Sequence, residues 1–150
     1  MKELYSEIEI NASAGRVWGV LTDFPRLPAW NPFMQRASGP LQEGEKLEVR
    51  LQPPDGSGMT IKPTLLKVEP DRELRWLGHL FVPGLFDGEH IFIIEPLGED
   101  RVRFIQREEF RGILASLLLG MIGENTRRGF ETMNQALKAE VEKPGGTAQE

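Results

Sequence analysis

Residues 101–110 predict a strand whose more apolar face carries two polar side chains. Neighbouring residues of a strand point to opposite sides, so every second residue shares a face. The more apolar face consists of Val102, Phe104, Gln106, Glu108 and Phe110. We therefore expect Gln106 and Glu108 to point toward the protein interior, where an amide and a carboxyl group could orient a ligand or move protons.

A histidine in the preceding predicted strand, residues 86–95, can join this polar pair. His90 shares one face of that strand with Phe92 and Ile94. A three-residue loop at residues 98–100 would set His90 directly opposite Glu108, with Cβ atoms ~5 Å apart. A two-residue loop would shift the register by one residue and separate the two side chains.

A His–Glu pair in an apolar cavity supports two kinds of function. Histidine can titrate near neutral pH and act as an acid or a base. The same pair can instead anchor a ligand hydroxyl or carbonyl group without catalysis. The residue types alone leave both uses of His90 and Glu108 open.

Several other chemistries are excluded by composition or spacing. The chain has no cysteine, so disulfides, thiolate catalysis and cysteine-ligated zinc are absent. His79 and His90 are the two histidines, and no HExxH motif is present. Glu108 and Glu109 are strand neighbours on opposite faces, so they cannot form a glycosidase pair. The sequence contains no Gly-rich phosphate loop, and we predict no metal site and no cofactor.

The overall composition is that of a globular domain without a nucleic-acid surface. The chain has 150 residues and a net charge of −5, and no basic cluster suggests nucleic-acid binding. The longest apolar run, residues 113–122, is half of the ~20 residues that a membrane span needs, which predicts no stable membrane insertion. We expect one ligand-binding domain at residues 1–143, a flexible tail at 144–150 and a cytoplasmic location. The sequence leaves open whether the protein forms a homodimer.

The order of predicted elements indicates an α+β fold. An alternating strand at residues 3–10 leads to a short helix that ends near Thr22, with Asn11 or Ser13 as its cap. About six strands joined by short turns follow, which favours an antiparallel sheet. One of them is predicted over residues 59–69, where Pro63 indicates an edge position or a bulge. From about Ala115 the period changes to 3.6 residues and predicts an amphipathic helix of roughly 25 residues. Its predicted apolar face consists of Leu118, Met121, Ile122, Phe130, Met133, Leu137 and Val141.

Three motifs in this layout resemble the helix-grip superfamily. They are "VWGVLTDFPRLPAWNPF" after the first strand, "LRW" at residues 74–76, and "FDGEH" with "RFIQREEFRG" before the last helix. The superfamily includes START lipid-binding domains, plant pathogenesis-related allergens and polyketide cyclase/dehydrase-like proteins, together called SRPBCC. The resemblance implies a curved antiparallel sheet of about seven strands wrapped around a long C-terminal helix. It also implies one or two short helices after the first strand and an apolar cavity.

The resemblance implies three candidate functions. The first is binding, and with it transport, of a small hydrophobic or amphipathic ligand between the sheet and the C-terminal helix. The second is an aromatase/cyclase-like enzyme that uses His90 and Glu108 as acid and base, and the third is a partner-binding module with a vestigial pocket. The predicted ligand-binding residues are Trp30, Phe33, Trp76, His90, Phe92, Phe104, Gln106, Glu108, Met121 and Phe130. Trp30 could equally be a core plug.

Overall fold

The computed structural model describes residues 2–80 and 82–144, which form two sheets and a long terminal helix. The strands are β1 (Lys2–Ile10), β2 (Met34–Ser38), β3 (Glu48–Leu51), β4 (Met59–Ile61), β5 (Thr64–Glu69), β6 (Glu73–Leu80), β7 (Phe86–Gly98) and β8 (Arg101–Arg111). The helices are α1 (Ala14–Thr22), α2 (Leu27–Trp30) and α3 (Ala115–Glu142), with a 3₁₀ turn at Phe24–Arg26. The predicted tail, residues 144–150, falls outside the described residues except for Pro144.

Five strands form one antiparallel sheet in the order β1-β8-β7-β6-β5, and β2-β3-β4 form a second sheet. The sequence predicted a single return strand over residues 59–69, but the chain changes sheets at Pro63. Proline has no N–H to donate to a ladder, so it interrupts the pairing. The Pro63 carbonyl instead accepts a hydrogen bond from the Leu47 N–H at 2.9 Å, which joins the sheets at this corner. The α+β helix-grip fold is confirmed, with eight strands in the described residues.

The predicted register between β7 and β8 is confirmed. His90 lies opposite Glu108, Phe92 opposite Gln106, and Ile94 opposite Phe104. The turn itself differs from the expectation, because Gly98 pairs with Arg101 and leaves two residues in the loop. A bulge between Pro96 and Gly98 supplies the extra residue, so the pairing of His90 with Glu108 survives.

The segment after β1 folds largely as its caps predict. Ser13 caps α1, since its hydroxyl oxygen accepts from the Arg16 N–H at 3.2 Å. The side chain of Asn31 ends α2, because Oδ1 accepts from the N–H groups of Phe33 and Met34 at 3.0 and 2.9 Å. This turn starts β2, which the sequence did not reveal.

α3 packs its apolar face on the five-stranded sheet. The buried residues of its second half include Phe130, Met133, Asn134, Leu137 and Val141. The sequence also placed Met121 on this face, and that assignment was wrong, since Met121 is 72% exposed. Nine residues separate Met121 from Phe130, which is about 2.5 turns and sets them on opposite sides of the helix. None of the helices in the described part of the chain is long and apolar enough to cross a membrane.

Candidate functional site

An apolar cleft lies between the two sheets and the first half of α3. The five-stranded sheet contributes Trp76, Gly78, His79, Leu80, Phe86, Gly88, Glu108 and Phe110, and α3 contributes Ile122 and Thr126. The opposite wall consists of Phe33, Leu51, Pro53, Met59 and Ile61. The cavity volume of the cleft is about 100 Å³, so the cleft suits a small molecule.

Two glycines that face each other across β6 and β7 form the floor of the cleft. Gly78 pairs with Gly88 in the ladder. A Cβ added to Gly78 would meet no atom closer than 4.0 Å, so the space above it is free. A Cβ added to Gly88 would lie 2.3 Å from Oε2 of Glu108. The carboxyl group of Glu108 thus occupies the space that a side chain at position 88 would fill.

Glu108 and His90 meet at the inner end of the cleft. The Glu108 Oε1 atom lies 3.6 Å from His90 Nδ1, and the Glu108 side chain is 18% exposed. The imidazole is buried against two phenyl rings, with centroid distances of 4.2 Å to Phe92 and 4.9 Å to Phe130. The pair therefore joins the cleft to the hydrophobic core.

A buried hydrogen-bond chain continues behind His90. His90 Nε2 lies 2.9 Å from Gln106 Oε1. Gln106 Nε2 donates to Asn134 Oδ1 at 2.8 Å and to the Phe130 carbonyl at 3.3 Å. Asn134 Nδ2 donates to Ser6 Oγ at 2.9 Å, and that hydroxyl donates to the Gln106 carbonyl at 3.3 Å. The chain links β1, β7, β8 and α3.

The buried hydrogen-bond chain determines the tautomer of His90. A backbone carbonyl can only accept, so the amide nitrogen of Gln106 must face Phe130. The Oε1 atom of Gln106 then faces His90 and accepts, which requires the proton of the neutral imidazole to be on Nε2. The Nδ1 lone pair is left pointing toward Glu108.

Burial keeps both members of the pair neutral at pH 7. Burial raises the pKa of Glu108 to about 8, and no cation opposes this shift. Burial lowers the pKa of His90 to about 4, although the hydrogen bond to Gln106 acts in the opposite direction. The inner end of the cleft thus combines a protonated carboxyl group with an unprotonated imidazole, and burial makes that imidazole a weak base.

The structure separates the predicted ligand-binding residues into three groups. Phe33, Trp76 and Glu108 line the cleft. Five others lie behind its wall in the buried interior: His90, Phe92, Phe104, Gln106 and Phe130. Trp30 borders a separate shallow groove, and Met121 is exposed to solvent.

Sequence reasoning missed two members of the polar chain and the glycine floor. Asn134 lies four residues after Phe130 and three before Leu137, so it is a polar residue within the apolar stripe of α3. Ser6 lies on the inner face of β1 opposite Gln106. Asn134 and Ser6 could both have been recognised as polar residues at positions where the sequence pattern predicts apolar ones.

No metal site is visible in the described ranges, 2–80 and 82–144. They contain no group of three or more histidine, aspartate or glutamate side chains placed to hold an ion. The prediction that the chain works without a metal or another cofactor stays a prediction.

Comparison with protein families identifies the chain. Residues 1–142 match the family described as polyketide cyclase / dehydrase and lipid transport. The chain belongs to this family. Among curated proteins, none matches the sequence closely enough to count as a relative.

Solved structures that resemble this member of the polyketide cyclase/lipid transport family share its fold. The Zhui aromatase/cyclase of Streptomyces sp. R1128 has a TM-score of 0.79 and 15% identity, over 99% of this chain and 98% of that one. A START superfamily protein of Mycobacterium smegmatis has a TM-score of 0.71 and 19% identity, over 93% of this chain and 97% of that one. Norcoclaurine synthase of Thalictrum flavum, in complex with dopamine and hydroxybenzaldehyde, has a TM-score of 0.70 and 17% identity. The match covers 95% of this chain and 88% of that one. At these identities the likeness shows the fold alone.

Proposed function

We propose that the protein binds a small, largely apolar molecule in the cleft, with Glu108 and His90 at the polar end of the site. The observation that carries this proposal is an apolar cleft that ends on a partly exposed carboxyl group. Apolar walls supply affinity at ~25 cal/mol per Å² buried, before the losses of association. The single polar end supplies orientation. Transport of the ligand is a further proposal, which the family description supports.

Filling the cleft from its floor should weaken ligand binding. In Gly78→Leu the new side chain extends into the free space above Gly78, so we expect at least tenfold weaker binding of the uncharged fluorescent probe N-phenyl-1-naphthylamine. Gly98→Leu is the matched control, since Gly98 ends β7 and also has open space around it, but lies outside the cleft lining. Fluorescence titration of both variants and the parent measures the effect. Full affinity in Gly78→Leu would show that the probe binds elsewhere.

A second candidate is an enzyme that moves protons on the bound molecule. The observation that favours it is the Glu108 carboxyl group at the polar end of the cleft, which can take up and return a proton. The aromatase/cyclase and the synthase among the similar structures give this candidate support by analogy only.

Hydrogen–deuterium exchange separates an enzyme from a binding protein. If the pair moves protons, a bound ketone should gain deuterium at its α-carbon in D₂O faster with the protein than without it, and mass spectrometry would detect the gain. Glu108→Gln should remove the acceleration because the amide cannot exchange a proton in this step. Equal exchange with and without the protein would favour binding alone.

The remaining candidates have weaker support. A partner-binding module with a vestigial pocket is disfavoured by the open cleft. We also propose a cytoplasmic protein that does not bind nucleic acid, which the net charge of −5 supports. Homodimer formation stays an open proposal.

A further inference from the structure

The direction of the hydrogen bonds behind the cleft decides which polar atom the cleft presents. His90 Nδ1 points its lone pair at Glu108 Oε1, 3.6 Å away. An unprotonated Oε1 would set its own lone pairs against that of Nδ1. This repulsion favours Oε1 as the site of the proton in a neutral Glu108, although the 3.6 Å separation is longer than a hydrogen bond.

The other oxygen of the carboxyl group faces the ligand space. Oε2 lies over Gly88 on the cleft floor, next to the position that a Cβ would occupy. With the proton on Oε1, Oε2 is a carbonyl oxygen and can only accept a hydrogen bond. If Glu108 loses its proton, Oε2 is still an acceptor. In both protonation states of Glu108, a ligand can therefore hydrogen-bond to Oε2 only with a donor group.

The elements packed around Glu108 supply no other charge. β1 places Leu4 opposite it, β6 contributes Trp76, and α3 contributes Ile122 and Thr126. His90 on β7 is the titratable side chain that faces it. The second histidine of the wall, His79, alternates with the inward residues of β6 and contacts Asp87 at 2.8 Å. Among the described lining residues there is no lysine or arginine to pair with an acidic ligand.

We propose that the cleft selects apolar molecules whose polar end is an N–H or O–H donor, and that it discriminates against ligands whose polar end only accepts. Carboxylates are excluded more strongly, because their charge would be buried beside an acceptor without a cation. This inference rests on the proposed function, in which the cleft is the ligand site. It assigns Glu108 as the residue that determines specificity and Gln106 as a positioning residue that acts through His90.

Indole and benzofuran form a matched pair of probes for this preference. They have nearly the same shape, but the N–H donor of indole is replaced by an ether oxygen in benzofuran. We expect indole to bind up to about tenfold more tightly, the effect of one hydrogen bond to a partly buried acceptor. Calorimetry would measure affinity, and the amide NMR signals of Gly78 and Gly88 would report binding at the cleft floor.

Two variants of Glu108 test the assignment. In Glu108→Gln the amide nitrogen can donate to His90 Nδ1 and leave the amide oxygen facing the cleft, so the indole preference should persist. In Glu108→Leu the acceptor is gone, and indole should lose its advantage while benzofuran still binds. The ¹⁵N shifts of His90 should show a protonated Nε2 and a bare Nδ1, and Gln106→Leu should weaken this tautomer preference.

The outcomes separate the inference from the proposed function. Equal or tighter binding of benzofuran, or a protonated Nδ1 in the parent protein, overturns the donor inference and leaves cleft binding in place. N-phenyl-1-naphthylamine bound in the cleft but displaced by neither probe also overturns the donor inference. Failure of all three molecules to bind overturns the proposed function itself.

Discussion

Replacing Gln106 by leucine should lower the free energy of unfolding by about 3 kcal/mol. The substitution leaves two buried groups without partners, the Nε2–H of His90 and Oδ1 of Asn134. Each buried group that loses its partner costs about 1–3 kcal/mol, and the buried leucine side chain offsets part of the total. Urea denaturation at pH 7 would measure the loss.

A matched substitution separates the loss of the buried hydrogen bonds from the general effect of replacing glutamine by leucine. Gln135 is an exposed residue of α3, next in sequence to Asn134, and Gln135→Leu should change stability by no more than about 0.5 kcal/mol. Asn134→Leu breaks the same chain from the other side, so the double variant should lose less than the sum of the two single variants. A Gln106→Leu protein as stable as the Gln135→Leu control would show that the buried chain contributes nothing.

The site residues were predictable where one face of a strand is apolar. Val102, Phe104 and Phe110 identify the inner face of β8, and this brings Gln106 and Glu108 inside with them. The same alternation places His90 on the inner face of β7. The pairing of His90 with Glu108 depended on the turn, and no local residue pattern indicates the bulge at Leu97 that preserves this pairing.

The position of the cleft was not predictable, because it depends on how the second sheet is placed. Pro63 was recognised as an edge or a bulge, but nothing local indicates that β4 and β5 belong to different sheets. That change of sheet carries Met59 and Ile61 to the far wall of the cleft. Phe92 and Phe104 fit an inward pattern equally well, yet they lie behind the wall, since strand alternation tells inside from outside but not cleft from core.

The stability of the protein should fall as the pH rises from 6.5 to 8, and Glu108 should be the cause. The carboxyl group titrates near its ordinary pKa of 4.5 in the unfolded chain and at about 8 in the folded one. Between these values the folded state holds a proton that the unfolded state has released. Raising the pH therefore favours unfolding across this interval.

His90 has the opposite effect over a lower interval. Its pKa is 6.5 in the unfolded chain and about 4 in the folded one, so the unfolded state binds the extra proton between these values. Raising the pH from 4 to 6.5 therefore stabilises the fold through His90. From pH 4.5 to 6.5 the two effects oppose each other, and above pH 6.5 the effect of Glu108 is unopposed.

Glu108→Gln should remove the loss of stability between pH 6.5 and 8. One pH unit corresponds to about 1.4 kcal/mol for one proton, so the parent should lose at most about 2 kcal/mol in this interval, less whatever screening the water at the cleft mouth provides. The stability of the variant should not change in this interval, and it should rise more steeply than that of the parent from pH 4.5 to 6.5, because Glu108 no longer opposes His90. Urea denaturation at closely spaced pH values would measure both curves.

Comparison with a surface variant assigns the effect to burial. Glu99 lies in the exposed turn between β7 and β8, so Glu99→Gln should reproduce the pH dependence of the parent. Every other titrating group is common to the three proteins, so the difference between the curves isolates position 108. Parallel curves for the parent and Glu108→Gln above pH 6.5 would mean that Glu108 is already ionised there. A carboxylate at the floor would then repel acidic ligands even more strongly, and the acid role of Glu108 in a proton-moving enzyme would be lost.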